Sequence, residues 1–122
     1  MKQAEESLEE AGFLLSGNKS PRSVINRIYY AMFYAVLALL IYEPYSSSKH
    51  SGVLSYFNKR FIKEGIFDKE LGRYFNKVFE MRQREDYREY TTLSLDQVSP
   101  YIGHAGSFIS AVKEYLVKQE GI

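Results

Sequence analysis

The chain has 122 residues, with 16 basic residues, 15 acidic residues and no cysteine. We expect a single domain over residues 1–122, because this length suits one core. The balanced charge gives no global argument for nucleic-acid binding, so such a function must rest on a local feature. The lack of cysteine excludes disulfides, thiolate zinc sites and cysteine nucleophiles. The first residues, Met1 to Glu6, contain acids and no apolar segment, so we expect no secretory signal and a cytoplasmic location.

Apolar spacing and end signals predict the first two helices. In the first, from about Lys2 to Ser16, apolar residues recur at steps of four, three and four. Ser20 can cap the second helix, and Pro21 can take its first position, where the missing N–H has no cost. The stretch from Ile28 to Tyr42 contains no charge. Because a membrane helix needs about 18 or more apolar residues, we expect a buried central helix that does not span a membrane.

The rest of the chain predicts further helices and no strand. Ser46–Ser48 offer caps for a third helix, which Gly65 ends, and a fourth is expected from Asp68 to about Arg88. The start of the fifth helix is open: Ser94 begins a capping box, while Ser99-Pro100 is an equally good start. The pattern predicts an all-α protein, an antiparallel up-and-down bundle of four to five helices.

The apolar stripe of the fourth helix continues into charged residues. Phe75 and Val78 belong to the stripe, and steps of four then reach Arg82 and Asp86. A guanidinium is rarely buried without a partner, because it loses its hydration. Either an Arg82–Asp86 salt bridge covers this end of the bundle, or Arg82 points into a polar pocket and binds phosphate with its planar fork of donors.

The same helix carries a second pattern, made of basic residues. Arg73, Lys77, Arg84 and Arg88 fall at steps of four, seven and four, which places them on one stripe. Such a stripe could follow an RNA backbone. The alternative is a solvated charged face with no ligand.

Polar and aromatic residues on the second and third helices are further candidates. Arg27 and Tyr30 share a face, and Asn26 adjoins Tyr30; a tyrosine stripe by itself more often packs in a core. His50 lies near the start of the third helix, where the neutral ring is favoured. His50 and His104 have no carboxylate pattern beside them, so we expect no metal site and no cofactor.

Three motifs in order give the chain a resemblance to a known family. They are Asn-Arg-x-Tyr-Tyr-Ala-x-Phe-Tyr-Ala (Asn26 to Ala35), Lys-His-x-Gly-Val (Lys49 to Val53) and Arg-x-x-x-Asp-Tyr (Arg82 to Tyr87). The chain thereby resembles the HEPN family, a name that abbreviates "higher eukaryotes and prokaryotes nucleotide-binding". The resemblance implies a helical bundle that dimerises. Many members are encoded beside a minimal nucleotidyltransferase as a toxin–antitoxin pair, and many are metal-independent ribonucleases.

The sequence departs from the catalytic motif of those ribonucleases. They carry an arginine followed, after four to six residues, by a histidine. Here the positions that correspond to this histidine, counted from Arg82, hold Tyr87, Arg88 and Glu89. A tyrosine, with a pKa of about 10, is a poor general base at neutral pH. Whether the chain is an enzyme therefore stays open, and the catalytic candidates are Arg82, Tyr87 and His50. The tyrosine that a nucleotidyltransferase partner modifies in this family is also missing from its place; Tyr90 is the nearest hydroxyl.

The expected function is that of a HEPN-type module that binds nucleotide or RNA phosphate and works with a minimal nucleotidyltransferase. The alternatives are a non-catalytic dimerisation or docking module and a metal-independent ribonuclease with a degenerate site. A homodimer is expected from the excess of aromatic residues and from the small residues between Gly103 and Gly106. The candidate nucleotide- or RNA-binding residues are Asn26, Arg27, Tyr30, Arg82, Arg84 and Asp86.

Overall fold

The computed structural model describes residues 1–45, 49–87 and 93–119, with the backbone alone described at residues 84–87. These ranges contain helices and no β-strand. The third helix continues directly into a π-helical turn, Asn58–Lys63. The predicted all-α bundle is confirmed. Its helices are α1 (Lys2–Ser16), α2 (Pro21–Leu40), α3 (His50–Phe57), α4 (Lys69–Tyr87), α5 (Leu95–Val98) and α6 (Pro100–Gln119).

The ends of α1 and α2 follow the local signals in the sequence. Helix α1 has the predicted bounds, and Asn18 in the following turn adopts a φ of 55°. At the start of α2 the side chain of Ser20 accepts a hydrogen bond from the backbone N–H of Ser23, and Pro21 takes the first helical position. Helix α2 ends at Leu40, two residues before the predicted end. The first turn of α2 is therefore fixed by its cap.

Helix α2 is the central helix of the bundle. It packs against each of the other described α-helices. Its 20 residues are long and apolar enough to cross a membrane by length and composition alone. Most of this surface is instead buried inside the domain, as in the core helix of a globular bundle.

Phenylalanine rings from four parts of the chain meet in the core. The ring centroids of Phe57 and Phe75 lie 5.6 Å apart, and Phe108 lies 5.4 Å from each of them. Phe61 and Phe67 extend the cluster at 5.6 Å from one another. Pairs of this kind add about 0.5–1.5 kcal/mol to the gain from burial. The cluster connects α3, its π turn, α4 and α6.

The turn between α3 and α4 uses a glycine and a cap. Gly65 has a φ of +81°, a conformation that side chains with a Cβ rarely adopt. Asp68 accepts a hydrogen bond from the backbone N–H of Glu70 at 2.9 Å, which caps the start of α4. The π turn then packs closely on α4, where a Cβ on Gly72 would lie 3.0 Å from Cγ1 of Ile62.

Both predicted starts of the last helix are used. Ser94 and Gln97 form a reciprocal capping box, with distances of 3.2 and 2.8 Å, and begin the one-turn helix α5. Pro100 then begins α6. Proline can hold this place because the first residue of a helix needs no N–H partner. The two signals were thus not alternatives.

Candidate functional site

A cleft of about 360 Å³ opens at the start of α2. Three arginines line it, Arg22 and Arg27 from α2 and Arg82 from α4. The N-terminus of α2 is the positive end of the helix dipole, so it also favours a negative charge at this place. The described lining therefore places three cations beside a helix N-terminus. Its lining residues are Leu14, Arg22, Ser23, Ile25, Asn26, Arg27 and Arg82.

Arg82 is held in place by two tyrosines of α2. Its guanidinium carbon lies 4.8 Å from the ring centroid of Tyr29 and 5.3 Å from that of Tyr30. Its Nη2 donates a weak hydrogen bond to the hydroxyl of Tyr30 at 3.4 Å. Cation–π contacts of this type contribute about 0.5–2 kcal/mol each. Arg82 thus reaches the cleft from α4 across the aromatic face of α2.

Arg27 forms the outer wall of the cleft. Its Nη2 donates to Oδ1 of Asn26 at 2.9 Å, and its Nη1 lies 3.3 Å from Oε1 of Glu10 on α1. The side chain of Arg27 is 33% exposed and that of Glu10 is 59% exposed. Water and salt screen such a pair, so it contributes about 0–1 kcal/mol. The pair therefore restrains Arg27 only weakly.

His50 belongs to the same aromatic cluster. Its ring centroid lies 4.3 Å from that of Phe33, and its Nδ1 is 3.1 Å from the hydroxyl of Tyr29. Burial of the ring, and then the positive charge of Arg82, lower the pKa of His50. Burial also raises the pKa of Tyr29. Tyr29 therefore keeps its proton at neutral pH, and where it donates to Nδ1, the ring proton of the neutral histidine sits on Nε2.

The structure brings Asn26, Arg27, Tyr30 and Arg82 to one end of the bundle. His50 lies behind Tyr29 and Tyr30, in contact with the aromatic rings and not among the residues that line the cleft. The other predicted site residues lie outside the described side chains: Arg84, Asp86 and Tyr87, together with Arg88, Glu89 and Tyr90.

The described half of the basic stripe on α4 is paired within its own helix. Arg73 forms a salt bridge with Glu70, and Nζ of Lys77 lies 3.5 Å from Oε1 of Glu80. All four side chains are well exposed. This part of the stripe has the character of a solvated charged face. Across the described ranges, no three histidine, aspartate or glutamate side chains group as metal ligands would.

Two residues of the site, Tyr29 and Arg22, were not predicted from the sequence. Tyr29 is fully buried, and it contacts both Arg82 and His50. A tyrosine inside an uncharged run was the available signal, because its hydroxyl needs a polar partner when buried. For Arg22 the signal was its place directly after the Ser20 cap and Pro21. An arginine there lies in the first turn of α2 and can add its charge to that of the helix N-terminus.

The protein is thus an all-α bundle domain, with a cleft at the start of α2 that arginines from α2 and α4 line. The chain belongs to the HEPN domain family, whose family model matches residues 1–115. This confirms the resemblance seen in the three motifs.

Similar proteins come from bacteria and archaea. A "UPF0332 protein" of Thermotoga maritima is 43% identical over 115 residues, which is 94% of this chain and 86% of that protein. "Putative toxin MJ0142" of Methanocaldococcus jannaschii is 38% identical over 98% of this chain and 80% of that protein. A second protein of that organism, "Putative toxin MJ0605", is 32% identical over 93% of this chain and 83% of its own length. The similarity therefore extends over almost the whole bundle.

Proposed function

We propose that this chain is a toxin-like HEPN module that binds a nucleotide or RNA phosphate in the cleft at the start of α2. One observation supports this proposal above the others: Arg22, Arg27 and Arg82 line one cleft. The planar donor fork of arginine matches phosphate geometry. Asn26 adds an amide to the same wall, so the cleft offers both charge and neutral donors.

The packing of Arg82 suits it to be the principal phosphate ligand. The rings of Tyr29 and Tyr30 hold its guanidinium, so less side-chain freedom is lost when a ligand binds. Arg27 is restrained more weakly, by the exposed Glu10. We therefore assign anchoring of the phosphate to Arg82 and a peripheral contact to Arg27.

The toxin-like role rests on relatives, two of which carry the word toxin in their names. Family membership supports a minimal nucleotidyltransferase as the partner, and we place the pair in the cytoplasm. The partner is tested by co-expressing the chain with a minimal nucleotidyltransferase, taken from the genes beside its own where one is encoded there, and purifying through a tag on one of them. Failure of the two to co-purify at micromolar concentration would remove the partner from the proposal.

The phosphate site is tested by calorimetric titration with inorganic phosphate and with a short single-stranded RNA. Arg82→Ala should weaken both, whereas Arg73→Ala should not. Arg73 is a matched control because it is an exposed arginine on the same helix, paired with Glu70 away from the cleft. Equal binding by the parent chain and a folded Arg82→Ala variant would show that the phosphate does not bind here.

A second candidate function, a ribonuclease with a degenerate site, is favoured by one observation. Arg82 and His50 both contact Tyr29, which places an arginine and a histidine in one cluster despite their separation in sequence. The partial burial of His50 and its hydrogen bond at Nδ1 argue against a free general base. We therefore rank binding above cleavage. A docking module without a ligand is the remaining alternative.

A further inference from the structure

A second cleft, of about 350 Å³, adjoins the arginine-lined one. The two share Leu14 and Arg27 in their walls. The second cleft differs in chemistry, because its other lining residues are Glu9, Glu10 and Phe13 of α1. It therefore offers an apolar surface and carboxylates directly beside a cationic site.

Phe13 is unusually exposed for so large an apolar residue. Its side chain is 78% accessible, although Phe33, Phe57, Phe61, Phe67, Phe75 and Phe108 are all buried. It stands on the last turn of α1, beside Leu14, which belongs to both clefts. A flat ring at this place can stack with another flat ring, and such stacking would remove its apolar surface from water.

The two clefts together match a ligand with an anionic group at one end and a flat ring at the other. A nucleotide has this form, with its sugar joining phosphate to base. A free phosphate would fill the first cleft and leave Phe13 exposed. A phosphoserine or phosphothreonine would bring no flat ring, and a phosphotyrosine joins its phosphate directly to the ring, with no sugar between them to span two clefts. The charge and shape of the pair therefore favour a nucleotide over either.

We infer that the second cleft is a nucleobase pocket, in which the base stacks on Phe13 while the phosphate lies against Arg82. This inference rests on the proposed phosphate site. It adds a direction to the bound ligand: the phosphate lies toward the start of α2 and the base toward the end of α1. The ligand class is thereby a nucleotide, free or as part of a single-stranded RNA.

Glu9 gives the pocket a preference among bases. It lies four residues before Phe13, one turn away on the same face of α1, and it lines the same cleft. An ionised carboxylate only accepts hydrogen bonds. Guanine presents two adjacent donors, its N1–H and its 2-amino group, which can meet both oxygens of one carboxylate. Uracil offers a single N–H between two carbonyl acceptors. The pocket should therefore prefer guanine to uracil.

The test is calorimetric titration of the whole chain with 5′-GMP, 5′-UMP and inorganic phosphate. Phe13→Ala should weaken GMP binding about tenfold, in keeping with the stacking of one base, and should leave phosphate binding unchanged. Ile41→Ala is the matched control: Ile41 is also 78% exposed, but it follows the opposite end of α2. Glu9→Gln should reduce the preference for GMP over UMP by about three- to tenfold.

The outcomes separate this inference from the phosphate site. If Phe13→Ala binds GMP as the parent does, while Arg82→Ala loses phosphate, the base pocket is wrong and the phosphate site stands. If Arg82→Ala leaves the affinity for phosphate unchanged, the proposed function itself fails. Phe13→Ala could instead convert a dimer to a monomer in sedimentation and bind GMP as the parent does. Phe13 would then lie in the contact between two copies of the chain, and the base pocket would be excluded.

Discussion

The guanidinium of Arg82 and the ring of Tyr29 are stacked within 4.8 Å, although 53 positions separate them in the numbering of the chain. Tyr29 is fully buried and also shares a hydrogen bond with His50. One core side chain therefore connects the cationic group of α4 to the histidine of α3. The relationship explains why the positive charge of Arg82 contributes to the lowered pKa of His50.

Arg82→Ala should weaken the binding of nucleotide or RNA by about 1.5–3 kcal/mol, the scale of a charged hydrogen bond. Arg82→Lys should recover only part of this, because a point charge cannot reproduce the planar fork. Titration calorimetry gives the affinities, and thermal unfolding of each variant shows whether the fold is intact. Full recovery by lysine would mean that charge alone matters at this place.

Glu10→Gln should strengthen phosphate binding by about two- to fivefold. Glu10 now holds Arg27 through an exposed pair, and its negative charge opposes that of the ligand. Glu6→Gln is the control, because Glu6 is an exposed acid on the same helix and lines neither of the two clefts. Phosphate titration at low ionic strength makes the comparison. Equal gains from both variants would show a general effect of net charge.

His50 should make the protein less stable in mild acid. Its pKa in the folded state is lowered, by burial first and by Arg82 second, so the unfolded chain binds the proton more tightly. The stability that the neutral ring provides is complete above the unfolded pKa of about 6.5. It is lost as the pH falls from there through the lower folded pKa.

Urea unfolding of the parent and of His50→Gln at a series of pH values checks this expectation. Between neutral pH and about pH 5, the free energy of unfolding of the parent should fall by more than that of His50→Gln. A parallel course of the two curves would show that His50 is not shielded from protonation. In a proton NMR titration, Arg82→Ala should raise the pKa of His50, since a neighbouring positive charge is removed.

Cleavage of single-stranded RNA in EDTA should be weak or absent, with binding retained. General acid–base catalysis raises the rate by about 10²–10⁴-fold. Within the cluster, His50 is the side chain of the type that ordinarily titrates near neutral pH. Its ring is half-buried and bonded to Tyr29. Robust cleavage that His50→Ala abolishes, in a folded variant, would promote the ribonuclease interpretation. Loss of cleavage in Tyr87→Phe would instead indicate that the tyrosine replaces the missing histidine.

We expect a homodimer, and Gly103 on α6 offers a sharp test. A Cβ added there would meet nothing within 4 Å in the protomer, so Gly103→Glu should fold, and the loss of a helical glycine should stabilise the helix. If α6 forms the contact between copies, the new charge should disrupt it. Analytical sedimentation would then show the parent as a dimer and the variant as a monomer of about 14.2 kDa. A parent that is already monomeric at tens of micromolar would contradict the expectation.

Most of the fold could be predicted from the sequence because its signals are local. The caps at Ser20 and Ser94 and the glycine at position 65 act within a few residues, and each one works as its residue type predicts. The π-helical turn at Asn58–Lys63 could not be predicted in this way. Its Ile62 packs closely against Gly72, which belongs to another helix, so the turn takes part in a tertiary contact that local signals do not report.

The candidate site was only partly predictable for the same physical reason. Periodicity predicted that Arg82 lies on the core side of α4, and the motif from Asn26 to Ala35 indicated Asn26 and Arg27. Their meeting at one cleft depends on how α2 and α4 cross, and this is a tertiary property. The pocket beside Phe13 was not predicted, because an exposed aromatic residue in a sequence looks the same as a buried one. Its significance is visible only when the neighbouring arginine cleft is known.

The position of Tyr29 has a consequence for how the site could change over time. Tyr29 contacts Phe33, Phe75 and Phe79 in the core, and the same ring supports Arg82. A change among these rings would disturb the core and the position of Arg82 together, so the two cannot vary independently. Glu9, Glu10 and Phe13 lie on the exposed side of α1, outside that core. Under the proposed function, ligand preference can therefore change through α1 at little risk to the bundle, while the Arg82 anchor stays tied to the core.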